Sequence, residues 1–277
     1  GLKRGTRVCS MPVTFGPSGI KTVGYSNDVP GGYAELMVLN EMLLLEVPNG
    51  LATEIAALTE PMAVGLHAVE KARLQPDDVP LVIGCGPVGL AVIAALKIKG
   101  ARPIIAADFS PRRRELALAL GADEVVDPAD LSPYTKWRDL AYPQGFDPAS
   151  PMALMGMGPQ PRPGVFFECV GIPGVLQQLL EGAPRHARVI VVGVCMEKDH
   201  IEPAIGINKE LNLQFVLGYA PEEFSRTLRH LAEGQINATP MITGKVGLDG
   251  IVAAFADLAN PERHAKILVE PGVPRPG

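Results

Sequence analysis

The sequence predicts an α/β fold, a doubly wound parallel sheet preceded by an incomplete antiparallel β-barrel. The first observation is a short apolar run at residues 81–83 that leads into the glycine-rich segment GCGPVG, residues 84–89. The second is an apolar stretch of helical length that continues to Lys99 and stops at Gly100. The third is the alternation of strand-like and helix-like segments up to residue 217, which gives the six strands that such a sheet requires.

The glycine-rich segment is typical of a dinucleotide-binding turn. The first glycine makes the tight turn, the second lets the backbone approach a pyrophosphate, and the third lets the helix pack closely on the strand. The helix N-terminus then offers free N–H groups and a partial positive charge to phosphates. We therefore expect Gly84, Gly86, Pro87, Val88 and Gly89 to bind a cofactor. The alternative is a βαβ unit that packs without a ligand.

An acidic residue follows at the distance that a ribose requires. A second apolar run ends in Asp108, nineteen residues after Gly89, where a carboxylate can hydrogen-bond the ribose hydroxyls of NAD. Because a carboxylate repels a 2′-phosphate, NAD is favoured over NADP. Three arginines at residues 112–114 could offset that repulsion. Alternatively, they are solvated charges on the first turn of a helix capped by Ser110 and begun by Pro111.

Composition and charge exclude several classes of function. The chain has 277 residues, of which 47% are hydrophobic and 20% charged, so it can bury one large core or two smaller ones. A net charge of −5 gives no indication of nucleic-acid binding or of a basic membrane surface. No apolar run reaches transmembrane length. We expect neither a nucleic-acid nor a membrane partner.

The cysteines indicate a reducing environment. The chain has four, which lie far apart and form no C-x-x-C pair: Cys9, Cys85, Cys169 and Cys195. This pattern argues against disulfides and against a four-cysteine zinc site, so we expect a cytoplasmic protein. Because the chain begins at Gly1 and not at a methionine, we also expect it to be a fragment.

The first 72 residues predict a barrel fragment followed by two helices. Residues 1–48 are rich in glycine, proline and short β-type runs, with strands expected at residues 6–9, 33–38 and 43–47. We expect Thr53 to cap a helix from Glu54, and a second helix to run from about Glu60 to Ala72.

Past Asp108 the alternation continues, with one interruption. We expect a helix at residues 111–120 and a strand at 124–126. Residues 128–164 then carry eight prolines, which we interpret as an inserted excursion with one short helix. Regular order resumes with strands expected at residues 165–170, 188–194 and 211–217 and a helix at 175–181. The tail predicts helices at 222–234 and 250–258 and a strand at 266–270.

Together these segments resemble the medium-chain, zinc-type alcohol and polyol dehydrogenases. The match includes the strand, glycine turn, helix and acid of residues 79–108. It also includes GTRV 5–8, PGGYAE 30–35, TEP 59–61, GLHA 65–68, LGAD 120–123, FECVG 167–171 and AKILV 265–269. Only the excursion and residues 11–29 lie outside it. The resemblance implies three parts. They are a remnant of a GroES-like catalytic domain (1–62), a Rossmann NAD-binding domain (63–219) and a segment that returns to the catalytic domain (220–277).

The resemblance also implies a metal role for one acid. Glu60 stands where the polyol branch places a glutamate, and the alcohol branch a cysteine, at the catalytic zinc. A carboxylate oxygen suits zinc. Without the resemblance, Glu60 is a first-turn acid favoured by the helix dipole. His67 also matches a family histidine, which we expect to be structural.

For the cofactor, the resemblance places the nicotinamide half beside residues at the ends of the later strands: Val170, Gly193, Val194 and Leu217. Arg113 matches the position that holds the adenosine ribose alongside the acid. Residues 211–217 resemble the strand that pairs across a two-fold axis in many members, which implies a homodimer or homotetramer. Otherwise they form an ordinary edge strand.

The sequence departs from the family in its zinc ligands. The family's other catalytic ligands lie upstream of everything matched here, and Cys9 matches no ligand position. We therefore expect a catalytic zinc in the intact protein only. A structural zinc requires four closely spaced cysteines, and there are none between Ser10 and Gly31. We expect no structural zinc.

The implied activity is hydride transfer between NAD and a small alcohol or polyol, or the corresponding aldehyde or ketone, assisted by zinc in the intact protein. One alternative is a zinc-independent quinone or enoyl reductase, against which the Glu60-Pro61 pair argues. The other is a non-catalytic nucleotide-binding module. We expect loops that include Trp137 of the excursion to line part of the substrate pocket.

Overall fold

The computed structural model describes residues 1–16, 19–25, 27–147, 150–155 and 157–272. It divides into two compact units. The first comprises Gly1–Glu60 and Ala220–Gly277, and the second comprises Pro61–Tyr219. These limits lie close to the domain limits predicted at residues 62 and 219. The roles of the two units as catalytic and nucleotide-binding domains remain predictions.

The strands and helices are numbered in chain order. The strands are β1 (Val8–Ser10), β2 (Val13–Gly16), β3 (Gly19–Thr22), β4 (Leu44–Glu46), β5 (Val79–Ile83), β6 (Ile105–Ala107), β7 (Glu124–Val126), β8 (Gly164–Glu168), β9 (Arg188–Val191), β10 (Asn212–Phe215), β11 (Ile242–Val246) and β12 (Lys266–Val269). The α-helices are α1 (Thr53–Ala56), α2 (Thr59–Ala72), α3 (Pro87–Ile98), α4 (Pro111–Leu120), α5 (Pro133–Ala141), α6 (Pro151–Leu154), α7 (Val175–Gly182), α8 (Pro203–Lys209), α9 (Pro221–Ala232) and α10 (Ile251–Leu258).

The second unit confirms the predicted fold class. Its described residues form a six-stranded sheet in the order β10-β9-β8-β5-β6-β7, and every neighbouring pair is parallel. All five residues of the central strand β8 are buried, as expected for a parallel sheet covered on both faces. The strand order reverses between β5 and β8. Ligands of such sheets bind at this point, outside the carboxyl ends of the strands.

Two helices position the candidate site. α3 is apolar on nearly all sides, which allows all of its residues from Gly89 to Leu96 to be buried. α4 has the predicted start, since the Ser110 hydroxyl accepts a hydrogen bond from the Arg113 N–H at 3.1 Å and Pro111 is the first helical residue. Gly121 ends α4 with a φ of +123°.

The proline-rich excursion differs from the prediction. Its described residues contain two helices, α5 and α6, where one was expected. Trp137 of α5 is buried, and its indole Nε1–H donates to the Val79 carbonyl at 3.0 Å. Its ring centroid lies 5.3 Å from that of Phe166. The first part of the excursion therefore belongs to the core. Residues 148, 149 and 156 lie outside the described residues.

The described residues of the first unit form two-stranded sheets. β1 pairs with β4 and β2 with β3, both antiparallel, while β11 and β12 are parallel. Residues 33–38, all of them described, form no strand, so that prediction was wrong. The Leu36 and Val38 side chains are exposed, and no described strand lies alongside to pair with this run.

The predicted start of the first helix was also wrong. α1 begins at Thr53 itself, with Ala52 in the N-cap position. The Thr53 hydroxyl accepts a hydrogen bond from Arg7 at 3.1 Å instead of capping the helix. Across the described part of the chain, every helix is too short or too polar to cross a bilayer.

Candidate functional site

A cavity of about 640 Å³ opens in the second unit at the carboxyl ends of β5, β6 and β8. Its lining comes from the glycine-rich turn, the end of β6 with the start of α4, the segment after β7, and the end of β8. Of the predicted cofactor residues, seven line it: Gly84, Gly86, Pro87, Val88, Asp108, Arg113 and Val170. The cavity therefore lies where the strand order reverses.

Two glycines shape the turn. Gly84 has a φ of +92°, which favours glycine. At Gly89 an added Cβ would lie only 1.8 Å from the Gly84 carbonyl oxygen, so α3 can approach the strand this closely only without a side chain. Gly89 is buried and does not line the cavity.

The middle glycine keeps the helix N-terminus open. A Cβ added at Gly86 would have no atom within 4 Å, so it would extend into open space. Within the described residues no side chain caps α3, and its first N–H groups remain available. This arrangement can accept an anion such as a pyrophosphate.

Asp108 is held rigidly at the cavity edge. Its Oδ2 accepts a hydrogen bond from the Cys85 N–H at 2.8 Å, and its Oδ1 accepts one from the Ser110 N–H at 2.9 Å. The Arg113 Nη1 lies 3.8 Å from Oδ2. The Arg113 Nε is buried and has no hydrogen-bond partner in the described part of the chain. Asp108, whose carboxylate keeps spare lone pairs, and Arg113 therefore line the same cavity.

The three consecutive arginines have different surroundings. The Arg112 Nη1 lies 2.9 Å from the Glu115 carboxylate on the surface of α4. The Arg114 Nη1 lies 2.8 Å from each of three oxygens, those of the Asp108 and Phe109 carbonyls and the Asp127 Oδ2. Of the three, Arg113 alone lines the cavity.

A second cavity of about 450 Å³ is lined by three of the four remaining predicted cofactor residues, Gly193, Val194 and Leu217. Ile172 lines both cavities. Between them, the Glu168 side chain is buried and its Oε1 accepts hydrogen bonds from the Val170 and Gly171 N–H groups at 2.7 and 2.9 Å. Glu168 thus fixes the loop after β8.

Several lining residues were missed by the sequence analysis. Phe109 is 71% exposed and lines the first cavity beside Asp108. Ser132, Pro133 and Tyr134 of the excursion line it as well, whereas the Trp137 side chain of the same excursion is in the core. The expected contribution of the excursion to a substrate pocket stays a prediction. The sequence offers one signal for Phe109 as a lining residue, which is that it directly follows Asp108.

Two buried thiols near the turn have raised pKa values. Burial raises the pKa of the Cys85 thiol, and the neighbouring Asp108 carboxylate raises it further. Burial likewise raises the pKa of Cys169, with a smaller contribution from Glu168. A protonated thiol is a poor nucleophile. Neither cysteine is suited to covalent catalysis.

Glu60, the predicted zinc ligand, belongs to no metal-ligand group of three or more side chains among the described residues. It is an exposed residue in the first turn of α2 and belongs to the first compact unit. Among the described residues, no three or more His, Cys, Asp or Glu side chains are grouped so that they could hold a metal ion. The described part of the chain does not assemble a zinc site.

Comparison with known proteins gives consistent matches. The family model for zinc-binding dehydrogenases matches residues 87–233. A (R,R)-butanediol dehydrogenase of Bacillus subtilis (strain 168) is 34% identical over 242 residues, which cover 87% of this chain and 64% of that protein. The chain thus spans less than two thirds of this relative.

Solved structures agree with the sequence match. The crystal structure of 2R,3R-butanediol dehydrogenase from Bacillus subtilis superposes with a TM-score of 0.77 at 31% identity, covering 98% of this chain and 75% of that chain. A putative zinc-binding dehydrogenase from Sinorhizobium meliloti 1021, bound to NADP, superposes with a TM-score of 0.78 at 25% identity, covering 98% and 78%.

Proposed function

Because this chain belongs to the zinc-binding dehydrogenase family, we propose that it provides the cofactor site of an NAD-dependent, zinc-type alcohol or polyol dehydrogenase. The observation that carries the proposal is the first cavity. There an uncapped helix N-terminus, an open position at Gly86 and a fixed carboxylate at Asp108 face one space at the switch point of the sheet.

Each part of the cavity suits one part of a dinucleotide. The N-terminus of α3, with Gly86 and Val88, would bind the pyrophosphate. Asp108 would accept hydrogen bonds from the ribose hydroxyls, and the Arg113 guanidinium, which lines the same cavity, would donate to the same sugar or its phosphate. The nicotinamide would extend toward Val170 and into the second cavity, lined by Gly193, Val194 and Leu217.

We propose NAD as the preferred cofactor. Asp108 would lie against the ribose hydroxyl that carries the 2′-phosphate in NADP. The carboxylate and the phosphate, both negatively charged, would then meet in a partly buried part of the cavity. The related Sinorhizobium meliloti structure is bound to NADP. The preference proposed for this chain therefore rests on its own residues, and direct measurement of both affinities tests it.

When bound, the nicotinamide ring supplies the hydride chemistry. The part of this chain is to orient the ring and exclude water from it. Glu168 holds the Val170–Gly171 loop in place through its two backbone hydrogen bonds, and the apolar side chains of Val170, Ile172 and Leu217 surround the space beside it. The role of Glu60 as a zinc ligand stays a prediction.

The proposed substrate is a small alcohol or polyol, such as the vicinal diol in the names of the similar proteins. We further propose that two copies associate through β10, which pairs with β9 alone among the described strands. Phe215 is 67% exposed and Leu217 85% exposed at this edge, so association would bury apolar surface. Light scattering of the purified protein would measure the assembly.

Calorimetric titration tests the proposal directly. We expect this chain to bind NADH and ADP-ribose, and NADH more tightly than NADPH. Absence of binding by all three would contradict the proposed function. Production of NADH from NAD and butane-2,3-diol, compared with production from a secondary monoalcohol, tests the substrate class.

A further inference from the structure

We propose that Arg114 and Asp127 form a positioning pair that fixes the ribose end of the cavity and thereby selects NAD over NADP. The inference rests on the proposed function, because it concerns the same cavity. It assigns a task to two residues that do not line that cavity.

The pair has a well-defined geometry. Arg114 is in the first turns of α4, and Asp127 comes directly after β7. The Arg114 Nη1 is 2.8 Å from the Asp127 Oδ2 and also 2.8 Å from the carbonyl oxygens of Asp108 and Phe109. The two side chains are 18% and 22% exposed, so solvent weakens the pair less than it weakens a surface ion pair.

The pair joins two walls of the cavity. The carbonyls bonded by Arg114 belong to the segment that carries the Asp108 carboxylate and the exposed Phe109 ring. Asp127 begins the segment from which Pro128 to Tyr134 contribute to the lining, and its Oδ1 accepts the Ala129 N–H at 2.9 Å. Arg114 therefore sets the distance between the acid and the facing segment.

The pair also removes a cation from the ribose site. An arginine next to the ribose is the usual means of holding a 2′-phosphate, because its guanidinium binds phosphate through paired hydrogen bonds. Asp127 neutralises Arg114, and two backbone carbonyls accept hydrogen bonds from its Nη1. Among the described residues, the cation within ion-pair distance of the Asp108 carboxylate is then Arg113, with its Nη1 3.8 Å from Oδ2.

Three variants separate the two tasks. In Asp127→Asn the hydrogen bond to Ala129 can persist while the charge that neutralises Arg114 is lost. In Arg114→Gln the guanidinium is lost. Arg112→Gln is the matched control, because Arg112 is in the same helical turn but contacts Glu115 on the surface.

Titration with NADH and NADPH gives the first readout. We expect the ratio of the NADPH to the NADH dissociation constant to fall about tenfold in Asp127→Asn, chiefly through tighter NADPH binding. In Arg114→Gln we expect about tenfold weaker NADH binding without a gain for NADPH. Arg112→Gln should leave both constants unchanged. If both test variants weakened the binding of NADH and of NADPH by the same factor, the proposed role of the pair in selecting NAD would be overturned.

Hydrogen exchange without nucleotide gives the second readout. The Cys85 and Ser110 N–H groups are bonded to the Asp108 carboxylate, so their exchange should accelerate in Arg114→Gln and not in Arg112→Gln. Unchanged exchange would overturn the positioning role. Failure of the wild-type chain to bind any nucleotide would overturn the proposed function separately, and the exchange result would still decide whether the pair positions Asp108.

Discussion

The Asp108 carboxylate accepts a hydrogen bond from the Cys85 backbone N–H at 2.8 Å, so the acid at the end of β6 is bonded to the glycine-rich turn after β5. The proposed ribose site and the proposed pyrophosphate site are therefore joined by a direct hydrogen bond. A substitution in either is expected to affect the other.

Asp108→Asn should relax the choice of cofactor. The asparagine keeps one oxygen acceptor but loses the charge that repels a 2′-phosphate. We expect NADH binding to weaken about tenfold, which corresponds to the loss of one charge-assisted hydrogen bond. We also expect the ratio of the NADPH to the NADH dissociation constant to fall. Calorimetric titration measures both. The exposed Glu115→Gln is the control, and an unchanged ratio in Asp108→Asn would contradict the assignment.

Gly86→Val should abolish cofactor binding and leave folding intact. The backbone at Gly86, with φ −68° and ψ −177°, suits any residue, and an added Cβ meets nothing within 4 Å. The valine side chain would instead occupy the space of the pyrophosphate. We expect no detectable NADH binding with a melting temperature close to that of the wild type. Binding of NADH by a folded Gly86→Val variant would show that the cofactor lies elsewhere.

Gly89→Ala should destabilise the fold itself. The added methyl would lie 1.8 Å from the Gly84 carbonyl, so α3 must move away from the strand. We expect a loss of about 3 kcal/mol or more in the free energy of unfolding, from denaturant titration. Gly206→Ala is the control, because its Cβ meets no atom within 4 Å and should be neutral or slightly stabilising. A stable Gly89→Ala variant would contradict the close approach.

The buried thiols should make stability fall at alkaline pH. In the unfolded chain a cysteine ionises near its ordinary pKa of 9.0, whereas burial raises the pKa of Cys85 and Cys169 in the folded state. Above pH 9.0 the unfolded state therefore binds fewer protons, and the free energy of unfolding decreases as the pH rises. Denaturant titration between about pH 8 and 10 of the wild type and of Cys169→Ala measures the effect. If the free energy of unfolding fell equally steeply with pH in the wild type and in Cys169→Ala, the predicted contribution of Cys169 would be contradicted.

The glycine-rich turn, the cap of α4 and the parallel strands could be predicted from the sequence because their signals are local. The Gly84–Gly89 turn, the Ser110 cap and the apolar strands each depend on neighbours in the chain, and the structure has them where expected. The excursion could not be predicted because its role depends on distant partners. Trp137 contacts Val79, which lies far away in sequence, and proline content alone gave no indication of that contact.

The same distinction applies to the site. An acid after β6 was visible in the sequence, but the fixed orientation of its carboxylate was not, since it depends on a hydrogen bond from the Cys85 N–H, which lies far away in the chain. Residues 33–38 show the converse error. A β-type run forms a strand only where another strand offers its hydrogen bonds, and none of the described strands does so.

Trp137 is the only tryptophan in the chain and is buried in the Pro61–Tyr219 unit. Its indole emission therefore reports on the melting of that unit without labels or mutations, whereas far-ultraviolet circular dichroism records both units. Coincident melting curves from the two optical methods would mean that the protein unfolds cooperatively as a whole, and separated curves would give each unit its own transition.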